Sequence, residues 1–143
     1  MNKTYIKTQR KKHKWYLIDA KNRNLGRLST RIAILLKGKK SPEYVPYINS
    51  NIHIIIINSQ FINITGKKKY QKMYKKHSGR PGGLTVETFT TLNQRMPNKV
   101  VEHSVKGMLP KNALGRQLFR QLKVYSNDIH PHRAQKPETI TLY

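Results

Sequence analysis

Residues 53–58 read HIIIIN, and this short run decides the fold. Its four consecutive isoleucines leave no polar side chain to face water, so both faces of the strand that they form must be covered. A strand of this kind belongs in the middle of a sheet, and a parallel sheet is the arrangement that buries both faces. The run is also much shorter than the roughly 20 apolar residues that a membrane span needs.

The segment before this run has the pattern of a strand followed by a helix. Residues 15–20, WYLIDA, predict the first strand. A helix beginning near Leu25 is predicted by apolar residues at helical spacing, which are Leu25, Leu28, Ile32 and Leu35. Asn24 is a candidate N-cap and Gly38 a candidate C-terminal cap. Strand, helix and strand in this order predict a βαβ unit and an α/β fold.

The second half of the chain predicts more helices. Residues 87–95 form a mixed helical stretch, and Pro97 suits the first turn of the next helix. The inner face of that helix is predicted to consist of Val100, Val101, Ser104, Val105 and Met108, and Pro110 ends it. A further helix is predicted over 114–122, with a last strand over 122–125. One side of this helix carries Leu114, Leu118 and Leu122, and roughly the opposite side carries Arg116, Arg120 and Lys123.

The balance of charge indicates a polyanionic partner. The 143 residues include 29 Lys and Arg against 6 Asp and Glu, a formal net charge of +23. The positive charges of such a chain repel one another when it folds. A phosphate backbone binds dispersed cations favourably, because binding releases its counterions. An anionic membrane surface would call for an amphipathic helix with an apolar face. An acidic protein partner would rarely need the whole surface to be basic.

The length fits one domain, which we expect to carry basic extended segments at both ends. The predicted division is a basic N-terminal arm at residues 1–14, a single α/β domain at 15–126 and an extended, polar C-terminal tail at 127–143. No internal repeat and no linker interrupts the central part.

Catalytic and metal chemistry are not indicated by the residues present. Cysteine is absent, which excludes disulfides and thiolate chemistry, and no two carboxylates are close in sequence. Asp19 ends a strand, a position open to catalysis, but a local cap or ion pair is the favoured interpretation. His130 and His132 lack the four-ligand pattern of structural zinc. We therefore expect no catalytic residue, no metal and no cofactor.

Residues 67–83, KKKYQKMYKKHSGRPGG, form the most distinctive segment. They predict an exposed strand or arm that ends in a Gly-rich turn. Tyrosine rings between lysines can stack on unpaired bases while the lysines hold phosphates. The glycines allow close backbone approach to phosphate, although an ordinary flexible turn remains the alternative. The order of a nucleotide P-loop is missing.

The candidate nucleic-acid-binding residues fall into three groups. The first lies in or beside this segment and comprises Lys67, Lys68, Lys69, Lys72, Tyr74, Lys75, Lys76, His77 and Arg80. The second is predicted to form another basic surface and comprises Lys106, Lys111, Arg116, Arg120 and Lys123. The third lies in the tail and comprises His130, His132 and Arg133. Composition alone leaves open whether the partner is RNA or DNA.

Four blocks of sequence carry a resemblance to a known family. They are WYLIDA with LGRLST, from Trp15 and Leu25; INITGKKK at Ile62; YKKHSGRPGG at Tyr74; and VKGMLPKNALGRQLFRQLKVY from Val105. HPHRAQKP, from His130, resembles the family's C-terminal ending. Over residues 15–137 the chain resembles large ribosomal subunit protein 13 of the bacterial and organellar type. It departs from the family pattern at Asn51 and Ile52, where Gly-Asp is usual, and at Ser104, where Ala is usual.

The resemblance implies an α/β/α sandwich around a small, mainly parallel sheet. It also implies binding to large-subunit ribosomal RNA beside neighbouring ribosomal proteins, a role early in subunit assembly and in translation, and no catalysis. Heavy use of Ile, Lys and Asn, typical of an AT-rich genome, together with the lack of a long N-terminal extension, favours a plastid (chloroplast) ribosome. Bacterial cytoplasm is the alternative. The rival functions are a free nucleic-acid regulator or chaperone and a small phosphate-handling enzyme.

Overall fold

The computed structural model of the chain describes residues 13–42 and 44–141, so the predicted N-terminal arm lies almost entirely outside the described residues. The strands are β1 (Lys14–Asp19), β2 (Ile52–Ile57), β3 (Met73–His77), β4 (Leu84–Thr88), β5 (Leu122–Val124) and β6 (Glu138–Thr139). The helices are α1 (Leu25–Lys37), α2 (Lys68–Gln71), α3 (Phe89–Arg95), α4 (Pro97–Met108) and α5 (Ala113–Arg120). In the described part, no helix is both long enough and apolar enough to cross a membrane.

The main sheet has four strands in the order β5-β2-β1-β6, and every pairing in it is parallel. The Ile run is β2, which lies in the interior of this sheet between β1 and β5. Strand β1 and the run are joined through α1, so the predicted βαβ unit is confirmed. A separate antiparallel pair, β3 and β4, lies outside this sheet. The predicted fold class, α/β with a small, mainly parallel sheet, is confirmed.

One face of the main sheet packs against α1 and α4. Ile54 and Ile56 of β2 are fully buried there, together with Ile18 of β1. The same cluster takes in side chains from both helices, which are Leu28, Ile32 and Leu36 of α1 and Val100, Val101 and Val105 of α4. Burial of these residues supplies the main apolar stabilisation of the fold, since each buried aliphatic side chain contributes about 1.5–3 kcal/mol.

The opposite face of the sheet is also covered, as the Ile run predicts. Ile55 alternates with its neighbours, so it points to this face, yet its exposure is 0%. Beside it the Trp15 ring stacks on His53 with 4.3 Å between centroids. His132, from the C-terminal tail, lies 5.4 Å from the same Trp15 ring. The tail therefore covers part of this face and does not only extend into solvent.

The tail also extends the sheet, which the sequence did not predict. Glu138 and Thr139 form β6, which pairs in parallel with β1. The Ile140 amide donates a hydrogen bond to the Leu17 carbonyl at 2.9 Å, which continues the pairing. The proposed division at residue 127 stays a prediction, because pairing within one sheet does not decide where a domain ends.

Two loop positions are explained by backbone conformation. Gly38 follows α1 with φ 74°, a left-handed cap, and its amide bonds to the Leu35 carbonyl. The predicted C-terminal cap is therefore confirmed. Asn51, which replaces a glycine of the family pattern, has φ 53°. Asparagine tolerates this left-handed region better than most residues with a side chain, so the departure is compatible with the fold.

Several predicted boundaries were wrong. Residues 87 and 88 belong to β4 and not to a helix, and the short helix α2 was not predicted at all. Leu122 begins β5 and does not end α5, because the chain turns at Gln121. Met108 is 38% exposed and contacts α1 at the edge of the core, so it is not an inner residue of α4. Asn24 occupies the N-cap position without a side-chain capping bond.

Candidate nucleic-acid interface

The distinctive basic segment begins with α2 and continues into the first strand and the Gly-rich turn of a β-hairpin. Strands β3 and β4 pair antiparallel, with Lys75 opposite Val86 and His77 opposite Leu84. One side of the hairpin is left open, since Met73, Leu84 and Val86 are 57%, 56% and 44% exposed. The predicted exposed strand and Gly-rich turn are therefore confirmed for residues 73–83, whereas residues 68–71 form the helix α2. Strand β4 is the partner strand that the sequence did not indicate.

The turn is ordered by its own hydrogen bonds. Gly79 and Gly82 have φ of 87° and 74°, which glycine adopts without strain. The Gly79 amide donates to His77 Nδ1 at 2.9 Å, and the Gly83 amide donates to the Arg80 carbonyl at 3.0 Å. These two amides are therefore already satisfied. Phosphate contact at the turn would come from the exposed Arg80 side chain instead.

The inner side of the hairpin is fastened to helices α3 and α4. The Tyr74 ring meets His103 of α4 edge-on, with 5.4 Å between centroids and 82° between planes. Glu87 of β4 pairs with Arg95 of α3 at 2.5 Å. Burial raises the pKa of Tyr74 above its ordinary value of 10.0. Because its ring packs inward, Tyr74 positions the hairpin, whereas the ring that is open for stacking in this segment belongs to Tyr70, which is 73% exposed.

A groove of about 620 Å³ is lined by residues of the hairpin and of α3, α4 and α5. Its cationic residues are Lys75, Lys76, Arg95, Lys99 and Lys106, and its acidic residues are Glu87 and Glu102. Both carboxylates are engaged, with Arg95 and Lys99 respectively. Among the described residues, Lys75, Lys76 and Lys106 have no carboxylate partner. The groove therefore presents unneutralised positive charge.

The structure brings together only part of the predicted set. Lys106 joins the hairpin lysines, and its ammonium lies 5.7 Å above the Phe119 ring of α5. Arg116 and Arg120 are exposed on α5, and Lys111 is exposed just before it. Lys67, Lys68 and Lys69 are exposed at the start of α2. Arg95 and Lys99 are groove residues that the sequence interpretation missed, although Lys99, His103 and Lys106 recur at helical spacing.

Lys123, His130 and His132 lie apart from this groove. Lys123 is on β5 near His53, so the prediction that it shares a surface with Lys106 is wrong. Burial, followed by His13, Lys123 and His132, lowers the pKa of His53. His132 Nε2 is 2.9 Å from the Tyr125 hydroxyl, and His130 Nδ1 accepts from the His132 amide. These two histidines therefore have structural partners, whereas Arg133 is exposed.

Asp19 has the local role that the sequence favoured. Its Oδ1 accepts a hydrogen bond from the Lys21 amide at 2.9 Å and another from Asn58 Nδ2 at 3.0 Å. These bonds join the ends of β1 and β2, so the carboxylate acts as a structural cap. No cluster of His, Cys, Asp and Glu within the described ranges could hold a metal ion.

Comparison with known proteins identifies the family. The family model for ribosomal protein L13 matches residues 13–131. Large ribosomal subunit protein uL13c of Gracilaria tenuistipitata var. liui is 58% identical over 141 residues, 99% of either chain. The uL13c protein of Pyropia yezoensis is 54% identical over 138 residues, 96% of this chain and 97% of its own. Large ribosomal subunit protein uL13 of Acaryochloris marina is 53% identical over 143 residues, 99% of this chain and 95% of its own.

These relatives are proteins of red-algal plastids and of cyanobacteria, and they support the plastid ribosome as the location. The family is one of ribosomal structural proteins and not of enzymes. The residues of the four sequence blocks, the α/β fold built around the Ile run and the full-length similarity all agree. The chain therefore belongs to the ribosomal protein L13 family.

Proposed function

We propose that the chain binds large-subunit ribosomal RNA through the basic hairpin and its groove, and that this binding supports early assembly of the large subunit and translation. The observation that carries the proposal is the set of lysines around the groove that have no carboxylate partner, Lys75, Lys76 and Lys106. Unpaired cations on a fixed surface bind a phosphate backbone favourably, because binding releases the counterions of the RNA.

The fixed position of the hairpin supports the proposal. A flexible arm would lose conformational entropy when it binds RNA, which weakens the net affinity. Here Glu87, Arg95 and Tyr74 hold the hairpin against α3 and α4 before any RNA arrives. Lys72 is also oriented, since its ammonium lies 5.2 Å from the centre of the Tyr74 ring. Lys67, Lys68, Lys69, His77 and Arg80 would extend the contact along the same segment.

A second group of contacts is proposed on α5 and at the chain ends. Arg116 and Arg120 lie on the exposed side of α5, and Arg133 is exposed in the tail. The N-terminal arm and the tail are proposed to contact rRNA or neighbouring ribosomal proteins. Contacts from several surfaces would hold separate RNA segments in one arrangement, which is how a protein without catalytic chemistry promotes assembly.

The salt dependence of RNA binding tests the hairpin assignment. The variant Lys72→Ala/Lys75→Ala/Lys76→Ala should weaken binding to a large-subunit rRNA transcript. The slope of log affinity against log salt is negative, and each lost phosphate contact reduces its magnitude by about 0.7–0.9. Three lost contacts therefore reduce the magnitude by about 2–3. The matched control is Lys37→Ala/Lys39→Ala/Lys40→Ala, which removes the same charge from lysines at the end of α1, outside the proposed binding surfaces. Equal slopes for the two variants would reject the hairpin as the binding surface.

Sedimentation tests the ribosomal role against the rival of a free regulator or RNA chaperone. The protein should remain with large subunits in a sucrose gradient at high salt, and crosslinks to rRNA should fall within residues 67–83. Its pulse-labelled form should enter early precursors of the large subunit. Free, light sedimentation under these conditions would favour the regulator.

A further inference from the structure

A row of arginines lies on the exposed side of α1 and just before the start of this helix. Arg23, Arg27 and Arg31, here called the arginine ridge, are spaced by four residues and are all exposed. At a rise of 1.5 Å per residue, successive members within a helix stand about 6 Å apart along the axis. No acidic residue occurs between Asp19 and Glu43. None of the three side chains has a hydrogen-bond or ion-pair partner among the residues that the structure describes.

The backbone holds this row in place. Leu25 and Leu28 bury the opposite side of α1, so the exposed side is fixed relative to the core. Arg23 precedes the helix, but its carbonyl accepts a hydrogen bond from the Asn63 amide at 2.9 Å. The Leu25 amide in turn donates to the Asn63 carbonyl at 3.0 Å. The start of α1 is therefore hydrogen-bonded to the segment after β2. The backbone that carries the three arginine side chains is thus held in place.

The ridge borders a shallow concavity of about 560 Å³. Besides the three arginines it is lined by Asn22, Asn24, Leu28 and Thr30, and thus by no carboxylate. Leu28 is only 4% exposed, so the side chains that form the accessible wall are those of arginine, asparagine and threonine. The side chain of Asn24 makes no hydrogen bond that caps the helix. The centre of a protein interface is rich in exposed aromatic and large aliphatic side chains, and none lines this concavity.

The ridge lies on the far side of α4 from the hairpin groove. Lys99, His103 and Lys106 share one side of α4, which lines that groove. Val101, Val105 and Met108 share the opposite side of the helix. Thr30 of α1, between Arg27 and Arg31, contacts Met108 at 3.5 Å. Helix α4 thus separates the two basic surfaces, so one short RNA segment cannot occupy both.

We infer that the arginine ridge is a second RNA-binding surface, which takes the phosphate backbone of an RNA segment other than the one at the hairpin. This inference rests on the proposed function. Guanidinium groups bind phosphate in a bidentate manner, which the lysines of the hairpin cannot do. Three of the nine arginines in the chain lie within residues 23–31, so this chemistry is concentrated at the ridge. The protein would then clamp two RNA segments across α4.

The first experiment compares salt slopes for a large-subunit rRNA transcript. The variant Arg23→Gln/Arg27→Gln/Arg31→Gln keeps helix propensity, since Gln and Arg are similar in this respect, and circular dichroism verifies its fold. The magnitude of its salt slope should decrease by about 2–3, as expected for three lost phosphate contacts. Combining it with the hairpin variant should give the sum of the two decreases, because the surfaces bind independently. The variant Arg23→Lys/Arg27→Lys/Arg31→Lys should keep most of the slope but lose affinity.

The second experiment locates the contact directly. Phenylglyoxal modifies accessible arginines, and mass spectrometry reads the modification at each position. The rRNA transcript should protect the ridge in the wild-type chain and equally in the hairpin variant. The inference is overturned if the ridge variant has the same slope as the control variant Lys37→Gln/Lys39→Gln/Lys40→Gln. It is also overturned if protection appears only in whole subunits, which would indicate an acidic protein segment. A wild-type chain without rRNA affinity would instead reject the proposed function itself.

Discussion

The two β regions of the molecule are built in opposite ways. In the main sheet, Ile54, Ile55 and Ile56 are each 0% exposed, so β2 is covered on both faces. In the hairpin, Tyr74 faces the core, whereas the preceding residue, Met73, is 57% exposed. The first region is organised around burial and the second around one open side. Stability and the proposed binding chemistry are therefore assigned to different strands of the same small protein.

This difference means that the two regions can be altered separately. A two-stranded hairpin is marginal on its own, and this one depends on its contacts with α3 and α4. The main sheet depends instead on a core that includes β1, β2, β5, α1 and α4. We expect changes in the sheet to lower global stability, and changes on the open side of the hairpin to leave it nearly unchanged.

The largest expected effect comes from a matched pair of truncations. Ile56→Ala should lower the free energy of unfolding by about 2–5 kcal/mol, because it leaves a cavity in a fully packed core. Val86→Ala should change it by no more than about 0.5 kcal/mol, since the side chain is 44% exposed. Urea denaturation followed by circular dichroism measures both. Comparable losses from the two variants would contradict the division into a buried and an open region.

A smaller effect distinguishes two glycines that have the same φ of 74°, Gly38 after α1 and Gly82 in the hairpin turn. An alanine in this left-handed region costs about 1 kcal/mol or more at either site. At Gly38 the new Cβ would also lie 2.8 Å from Ser50 Cβ, whereas at Gly82 nothing lies within 4 Å. Gly38→Ala should therefore destabilise the chain clearly more than Gly82→Ala in thermal unfolding. An equal loss would show that surroundings do not matter and that strain alone decides.

The smallest effect concerns the pH response of the sheet face that carries His53. The pKa of His53 lies below its ordinary value of 6.5, chiefly because of burial. Its neutral form therefore contributes stability that is complete above about pH 6.5 and is lost as the pH falls towards the lowered pKa. Trp15, the single tryptophan, stacks on this ring and reports its protonation by fluorescence quenching.

The expected titration of Trp15 fluorescence has a midpoint below pH 6.5 that His53→Gln removes. His77→Gln serves as the control, because His77 lies on the exposed hairpin and contacts neither ring. A transition at or above pH 6.5, or one that survives His53→Gln, would place the titrating group elsewhere.

How far the fold could be predicted depended on how local each signal was. The Ile run and the periodic residues of α1 determined the βαβ unit, since a side chain's preference for burial is visible at its own position. Strand β4 was missed because residues 84–88, LTVET, are few and none of them is buried, so the strand is defined mainly by its pairing with β3. Strand β6 was missed because its two residues, Glu138 and Thr139, form a strand only through pairing with β1.

The candidate site was predictable as a composition but not as a surface. Lysine density marked residues 67–83 as cationic, and the structure keeps these lysines exposed or partly exposed. The sequence could not indicate that Tyr74 turns inward, because an aromatic ring between lysines suits either burial or stacking. It also could not separate Lys123 from Lys106, since a position on a strand or helix does not tell which surface that element joins.

By itself, the sequence determined the α/β class, the excess of positive charge, the lack of catalytic and metal-binding patterns, and the family. These properties follow from residue identity and spacing, which act locally. The tertiary structure decided that the hairpin docks on α4, that Lys75, Lys76 and Lys106 meet at one groove, and that the arginine ridge lies on the far side of that helix. These arrangements depend on packing between segments distant in the chain, whose energy no single segment contains.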